Sequence, residues 1–177
     1  MLNILMQLYT HGSQKNVFTK EQLQDWKQKF QLNTITKTSN GDNCWGIDKK
    51  CLSYAWLKKT IMPIFSEYFN KDLKLIFGSY IDCFETFPIH TDIKDLPEGA
   101  TGNCYVSILI PHSIDNEKNN FSKVSTEFFD KDRQITDWVN WEENSFIWWE
   151  SQLNHKSSDF KKQGIVSKQY FIFHTYV

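Results

Sequence analysis

Three residues of this 177-residue chain carry side chains that could together hold a metal ion: His90, Asp92 and His155. Two imidazoles and one carboxylate are the ligand set of the facial triad, which holds non-haem Fe(II) and leaves coordination positions open. Side chains alternate between faces along a strand, so His90 and Asp92 point to the same side and can bind one ion. His155, 63 positions after Asp92, would supply the third ligand. The sequence therefore predicts a metal centre with free positions for a co-substrate and oxygen.

The segments around these residues favour a shared metal site over isolated structural histidines. Residues 83–90 have the composition of a strand that ends at His90, and residues 146–149 form an aromatic strand shortly before His155. A basic residue, Lys168, enters the last apolar segment of the chain. A metal site with a nearby cation is therefore expected where these strands meet.

The overall composition excludes some classes of partner. The chain has 20 Lys and Arg against 21 Asp and Glu, a formal net charge of −1, which gives no argument for binding nucleic acid or a membrane. Four cysteines occur without a Cys-x-x-Cys pair, so a zinc ribbon is excluded and free thiols in a reducing compartment are expected. The first nine residues lack the basic start and long apolar run of a signal peptide or membrane span, which predicts a cytoplasmic protein.

Helices are predicted in the first part of the chain and strands in the rest. Thr19 and Gln22 form the signature of a capping box, and apolar residues at helical spacing follow it. Residues 51–69 are also helical in pattern, and Pro63 should kink or restart that helix. After residue 72 the pattern changes to short β-rich segments, with polar connections at 114–122 and 154–167. The predicted strands are 73–80, 83–90, 104–111, 127–129, 138–141, 145–149 and 170–177.

Helices followed by many short strands predict an α+β protein. A double-stranded β-helix, or jelly roll, best places early and late strands side by side, and it brings His90 and Asp92 near His155. The whole chain, residues 1–177, is expected to form a single domain. Residues 1–72 would be mainly helical support, and residues 73–177 would form the jelly-roll core with the metal site.

The chain resembles the Fe(II)- and 2-oxoglutarate-dependent oxygenases over about Leu73–Val177. It looks closest to the small prolyl-hydroxylase-like members and to viral or marine-microbial ones. The segments that carry the resemblance are Pro88–Asp92, the strand Tyr105–Pro111, the run Ser145–Trp149 leading to Asn154 and His155, and Lys168 ahead of Tyr170–Phe173.

The resemblance implies a role for each of the main site residues. His90, Asp92 and His155 would be the iron ligands, and the open positions would take 2-oxoglutarate through its keto oxygen and the adjacent carboxylate. Lys168 would pair with the far carboxylate of 2-oxoglutarate, because a buried carboxylate needs a cation. Lys168 lies 13 positions after His155, which is a longer gap than the family usually has, with Lys in place of Arg.

Hydroxyl groups, but not the two further histidines, are expected to extend this site. A hydroxyl often assists at the far carboxylate in the family, and Tyr80 and Ser107 are the candidates because each lies on a strand expected near the site. His112 and His174 are expected to be structural, since neither has a paired carboxylate two residues away.

The activity implied by the resemblance uses Fe(II), 2-oxoglutarate as co-substrate, and O2. 2-Oxoglutarate would be decarboxylated to succinate while a C–H bond of the substrate is hydroxylated, and Asp92 argues for hydroxylation because halogenating members lack this carboxylate. Two alternatives stay open: a cupin-like metalloprotein that does not use 2-oxoglutarate, and a non-catalytic jelly-roll binding module. The substrate would be a small molecule or a peptidyl group, selected by lids at residues 94–103 and 115–125. No oligomeric state is predicted.

Overall fold

The computed structural model describes residues 11–92, 105–115 and 120–177. Within these ranges the helices are α1 (Lys20–Gln31), α2 (Tyr54–Thr60) and α3 (Met62–Phe69). The strands are β1 (His11–Gln14), β2 (Ile35–Lys37), β3 (Asn43–Ile47), β4 (Lys74–Cys83), β5 (Tyr105–Ile114), β6 (Ser125–Phe129), β7 (Ile135–Asn140), β8 (Phe146–Glu150), β9 (Asn154–Ser157) and β10 (Lys168–Tyr176). The predicted lid at 94–103 and the first nine residues lie outside the described ranges.

The strands form two antiparallel sheets, which confirms the predicted jelly-roll architecture. The large sheet has the strand order β1-β8-β5-β10-β4-β3-β2, and the small sheet has the order β7-β6-β9. Early and late strands are neighbours, because the last strand, β10, lies between β4 and β5. The helices cover one face of the large sheet, and the small sheet packs against the other face.

The helices form where the sequence pattern predicts them. The Thr19 hydroxyl accepts from the Gln22 backbone N–H at 3.2 Å, and the Gln22 side chain accepts from the Thr19 N–H at 2.8 Å, so the capping box is present. Pro63 lies in the first turn of α3 and separates it from α2, as expected. Asn70 ends α3 in the left-handed conformation with φ of 51°. No helix in these described ranges is long and apolar enough to cross a membrane.

Side chains along β10 point alternately into two hydrophobic cores, one on each face of the large sheet. Phe171 and Phe173 point towards the helices, where Phe171 packs against Phe30 with ring centroids 5.5 Å apart. Tyr170 and Ile172 point the other way, into the space between the two sheets. This second space is where the small sheet, β4 and β5 converge, so side chains of β10 at even positions from 168 to 174 can meet groups from both sheets.

One of the predicted strands is wrong. Residues 83–90 are not a strand: β4 continues without a break to Cys83, and a loop then leads to His90. The loop begins where Asp42 accepts hydrogen bonds from the backbone N–H groups of Phe84 and Glu85, at 2.6 and 3.3 Å. This buried aspartate takes backbone donors that a further strand would have needed for its ladder.

The two predicted polar connections also contain structure. Residues 154–157 of the second connection form β9, which pairs with β6, and Phe160 and Ile165 beyond it are buried. The first connection, predicted to be polar, contributes Ile114 and Phe121 to the core between the sheets. Strand β9 has no apolar alternation in sequence because its inward side chains are polar and face a cavity.

Candidate metal centre

The three predicted ligands meet at one point between the sheets. One ligand atom each from His90, Asp92 and His155 lies within 4.8 Å of the others. The Oδ1 atom of Asp92 is 3.7 Å from Nε2 of His90 and 3.5 Å from Nε2 of His155. The backbone holds this arrangement, because His90 and His155 exchange N–H···O=C bonds of 3.0 and 2.9 Å across an isolated antiparallel bridge. The Asp92 N–H also donates to the Ser151 carbonyl at 3.0 Å.

Both histidines are held in the tautomer that a metal ligand requires. Nδ1 of His90 is 2.8 Å from the Pro88 carbonyl oxygen, and Nδ1 of His155 is 2.9 Å from the Leu153 carbonyl oxygen. A carbonyl oxygen only accepts, so each Nδ1 carries the hydrogen and donates it. The lone pair of each imidazole is therefore on Nε2, the atom that faces Asp92.

Asp92 is oriented by an indole. The Trp149 Nε1–H donates to Oδ2 of Asp92 at 2.9 Å, which leaves Oδ1 directed at the two imidazoles. Burial acts to raise the pKa of Asp92, but His155, His174, the Ser107 hydroxyl and His90 together lower it below its usual value. Burial lowers the pKa of His155. A charged carboxylate and a neutral imidazole are the protonation states in which these groups bind metal.

The donor set fits a divalent first-row transition metal. Two neutral imidazole nitrogens and one carboxylate oxygen on one side of a cavity form an open facial site, the arrangement found for non-haem Fe(II). His90, Asp92 and His155 would hold the ion, and the remaining positions would open towards the cavity described next.

The Trp149–Asp92 hydrogen bond leads to a prediction about metal affinity. We expect Trp149→Phe to raise the dissociation constant for Fe(II) or Mn(II) by about 10–100-fold, the usual effect of losing a partner of a ligating residue. Anaerobic calorimetric titration measures it. The matched control is Trp148→Phe, because Nε1 of Trp148 is buried without a hydrogen-bond partner in the described part of the chain. Equal metal affinities in the two variants would contradict the role of Trp149.

A cavity of about 270 Å³ adjoins the three residues. Aromatic side chains form much of its wall, and the polar groups that reach it come from both sheets. The lining includes Phe77, Phe87, Trp141, Trp149 and Tyr170, with Lys168, Thr126, Ser157 and His174 among the polar side chains. A concave, mostly apolar space with a few polar groups is typical of a small-molecule site.

Lys168 lies at this cavity as a buried cation. Its side chain is 2% exposed, and it forms no ion pair with any of the described residues. Three aromatic rings surround Nζ instead, with centroids at 4.5 Å (Trp141), 4.9 Å (Phe160) and 5.3 Å (Tyr170). Burial lowers the pKa of Lys168 to about 8, although Cys83 and Asp42 partly offset that effect. A buried ammonium group without a counter-ion is a natural place for a bound anion.

Tyr80, one of the two predicted hydroxyl residues, lies on the helix-facing side of the large sheet. Ser79 and Ile81 line the cavity, so alternation along β4 turns Tyr80 towards the helices, where it is fully buried. Its hydroxyl is 2.7 Å from Oε1 of Gln169 and 3.1 Å from Nδ1 of His112. Tyr80 is therefore not among the residues that line this cavity.

Ser107 is on the inner face of its strand, but at the metal end. Its Oγ is 2.8 Å from Oγ of Ser151 and 3.2 Å from Nδ1 of His174, and it lies beside Asp92. Ser107 pairs with His174 in the ladder between β5 and β10. Lys168 is six residues away from His174 along β10, roughly 20 Å of strand. The position of Ser107 thus supports contact with Asp92 and not with an anion at Lys168.

Three residues at the Lys168 end were missed from the sequence. Thr126 on β6 and Ser157 on β9 line the cavity with Lys168, and Trp141 contacts both Thr126 and the lysine. One signal was available: Ser157 lies two positions after His155, so a strand at residues 154–157 would have placed both on one face. His174, expected to be structural, also lines the cavity; its ring packs against Phe77 with centroids 4.3 Å apart and the ring planes tilted by 33°.

The sequence matches no protein-family model and no curated protein. Solved structures do share its fold. HygX from Streptomyces hygroscopicus, crystallised with nickel and 2-oxoglutarate, is 10% identical, with a TM-score of 0.61 over 94% of this chain and 82% of HygX. A Pseudomonas putida prolyl-4-hydroxylase is 9% identical, with a TM-score of 0.60 over 96% and 93%. The α-ketoglutarate-dependent epimerase SnoN of nogalamycin biosynthesis is 8% identical, with a TM-score of 0.66 over 94% and 78%.

These likenesses confirm the fold that the sequence resemblance predicted. The chain adopts the double-stranded β-helix of the non-haem iron and 2-oxoglutarate-dependent oxygenases, with helices packed on the large sheet.

Proposed function

We propose that the protein is an Fe(II)- and 2-oxoglutarate-dependent oxygenase, and that it hydroxylates a C–H bond of its substrate. One observation carries the proposal: a single cavity is lined both by the His90, Asp92 and His155 group and by Lys168, a buried cation with no counter-ion among the described residues. A metal and a dianionic keto acid together would satisfy both features. We also propose that residues 1–177 act as one oxygenase domain, with residues 1–72 as support.

Each residue then has a defined task. Nε2 of His90, Nε2 of His155 and Oδ1 of Asp92 would hold Fe(II), and Lys168 would bind the far carboxylate of 2-oxoglutarate. The bound metal would supply the chemistry with O2 that couples decarboxylation of 2-oxoglutarate to oxidation of the substrate. Trp149 and Tyr170 wall the cavity with apolar surface, which excludes water from the reacting groups.

Hydroxylation is preferred among the reactions that this fold supports. SnoN is an epimerase and the similar SnoK is a carbocyclase, so the fold alone leaves the outcome open. Asp92 supports hydroxylation over halogenation, because its carboxylate occupies the position that a halide would need. HygX has been crystallised with hygromycin B and another similar protein is a prolyl-4-hydroxylase. A small molecule or a peptidyl group is accordingly the substrate we propose.

The proposal is tested by turnover of the protein loaded anaerobically with Fe(II). We expect O2-dependent conversion of 2-oxoglutarate to succinate. Succinate formation should increase when a substrate is present in a panel of peptides, amino acids and small molecules such as hygromycin B. With 18O2, the product should gain one labelled oxygen atom.

Other outcomes would favour the remaining alternatives. Tight metal binding without any 2-oxoglutarate binding would support a cupin-like metalloprotein. Absence of metal binding, with His90→Ala changing nothing, would support a non-catalytic binding module.

A further inference from the structure

A row of four side chains crosses four neighbouring strands of the large sheet next to Asp92. Ser107 of β5 pairs with Trp149 of β8 on one side and with His174 of β10 on the other, and His174 pairs with Phe77 of β4. Trp149, His174 and Phe77 line the cavity, so the row lies on the inner face of the sheet. Because Trp149 donates to Oδ2 of Asp92 at 2.9 Å, the Asp92 carboxylate lies against this row.

The Ser107 hydroxyl is fully buried and has three polar neighbours. Its Oγ is 2.8 Å from Oγ of Ser151 and 3.2 Å from Nδ1 of His174, and the hydroxyl is within hydrogen-bonding reach of the Asp92 carboxylate. A hydroxyl has one hydrogen to donate and two lone pairs that accept, whereas a carboxylate only accepts. The Ser107 hydrogen is therefore directed to Asp92, while the Ser151 O–H and the His174 Nδ1–H donate to Ser107.

Ser151 contributes to the position of Asp92 in two ways. Its backbone carbonyl accepts the Asp92 N–H at 3.0 Å, and its hydroxyl bonds Ser107, which reaches the carboxylate. Both serines are 0% exposed, so water does not compete for these bonds. The main chain and the side chain of Asp92 are thus held by the same two serines.

The ring of His174 is held on two sides. Nδ1 bonds Ser107, and Phe77 packs against the ring with centroids 4.3 Å apart. The direction of the bond to Ser107 matters, because an Nδ1 atom without a hydrogen would accept the Ser107 hydrogen and draw it away from Asp92. The tautomer of His174 therefore decides whether Ser107 can donate to the carboxylate.

We infer that His174 is a positioning residue of the metal centre that acts through Ser107: its Nδ1–H directs the Ser107 hydrogen to Asp92 and so fixes the carboxylate. Trp149 holds the same carboxylate at Oδ2, and Oδ1 is left facing the two imidazoles. The inference rests on the metal site of the proposed function. It gives a role to a histidine that the sequence predicts to be structural.

The first test measures Mn(II) affinity by calorimetry without 2-oxoglutarate. We expect Ser107→Ala to raise the dissociation constant about 10-fold, as for the loss of a partner of a ligating residue. His174→Phe keeps a ring but has no N–H, so it should raise the constant severalfold. The double variant should bind no more weakly than Ser107→Ala, because His174 acts only through Ser107. His174→Asn, whose amide N–H can replace Nδ1–H, should keep the wild-type affinity.

The second test observes the His174 tautomer directly. Long-range ¹H–¹⁵N NMR spectra of the Zn(II)-loaded protein distinguish Nδ1–H from Nε2–H imidazoles, and the signal that disappears in His174→Asn belongs to His174. We expect the Nδ1–H form in the wild type. An Nε2–H form would overturn the inference, because Ser107 would then have to donate to His174.

His112→Phe is the matched control for His174→Phe. Nδ1 of His112 is 3.1 Å from the Tyr80 hydroxyl on the helix side of the sheet, so the variant breaks a similar contact away from the metal centre. It should bind Mn(II) like the wild type, and thermal unfolding of the apo-proteins checks that each variant is folded.

Three results of the affinity test would overturn the inference and leave the proposed function standing. These are unchanged Mn(II) affinity in Ser107→Ala, additive losses in the double variant, and a loss in His174→Asn equal to that in His174→Phe. Failure of the wild type to bind Mn(II) would instead reject the proposed function.

Discussion

Replacing His155 by alanine is expected to abolish both metal binding and turnover of 2-oxoglutarate. His155 presents Nε2 to Asp92 Oδ1 at 3.5 Å, and its bond from Nδ1 to the Leu153 carbonyl fixes that orientation. Losing a partner of a ligand costs about 10–100-fold in metal affinity, so losing the ligand itself should cost more than about 100-fold. Anaerobic Fe(II) titration and succinate formation measure the two effects.

Asn154→Ala provides the control for this variant. Asn154 precedes His155 on β9 and its side chain points to the other face of the strand, so metal affinity should stay at the wild-type value. Thermal unfolding of both apo-proteins checks that β9 is intact. Wild-type iron affinity and turnover in His155→Ala would show that the metal centre is elsewhere.

Replacing Lys168 by methionine is expected to weaken 2-oxoglutarate binding by at least about 100-fold, because one partner of a buried charge pair is removed. Methionine is unbranched and apolar, so it can occupy the space between Trp141 and Tyr170. Metal affinity should not change, since Lys168 contacts none of the three ligands. Unaltered 2-oxoglutarate affinity in Lys168→Met would favour the cupin-like alternative.

The pKa of Lys168 predicts how the binding of 2-oxoglutarate depends on pH. Below its pKa of about 8 the free protein already carries the ammonium, so 2-oxoglutarate binds without taking up a proton. Above pH 8 a proton must be taken up on binding, and the dissociation constant should rise by up to about 10-fold per pH unit. Calorimetry measures the dissociation constant of 2-oxoglutarate between pH 7 and pH 9.5. Each of these pH limits lies about one unit or more from the pKa of Lys168. Binding of 2-oxobutyrate should be flat over the same range.

The same shift has a consequence for folding. The pKa of Lys168 is about 8 in the folded chain, below its ordinary value of 10.5. Between pH 8 and pH 10.5 the unfolded chain therefore binds more protons than the folded chain. The destabilising effect of the buried charge is complete below pH 8 and is lost as pH rises towards 10.5. The free energy of unfolding attributable to this group therefore increases with pH. Lys168→Met should accordingly be more stable than the wild type at pH 7.

Much of the fold and of the metal group could be read from local patterns. The capping box at Thr19, the break at Pro63 and most strands depend on residues close in sequence. The pairing of His90 with Asp92 depends on residue type and a separation of two, although the structure provides a single bridge there and not the strand predicted for residues 83–90. That strand was wrong because Asp42, remote in sequence, binds the backbone after β4.

The co-substrate end of the cavity was harder to predict. Tyr80 lies on the predicted strand with its side chain towards the helices, because alternation determines which residues share a face but not which face borders the cavity. Thr126 and Ser157 were missed because a short polar strand looks like a loop when its inward side chains border a cavity.

The sequence by itself determined the chemical types of the donors, their separation along the chain and the periodicity that selects a jelly roll. Only the tertiary structure decided which imidazole nitrogens face Asp92 and which side chains face the cavity. It also decided that Lys168 is buried without an ion pair, and Ser157 without a hydrogen bond, in the part of the chain that the structure describes. The physical reason is that faces and separations within a strand follow from local backbone geometry. Burial and hydrogen-bond satisfaction depend instead on the register between strands that are far apart in the chain, as for Thr126 and Ser157.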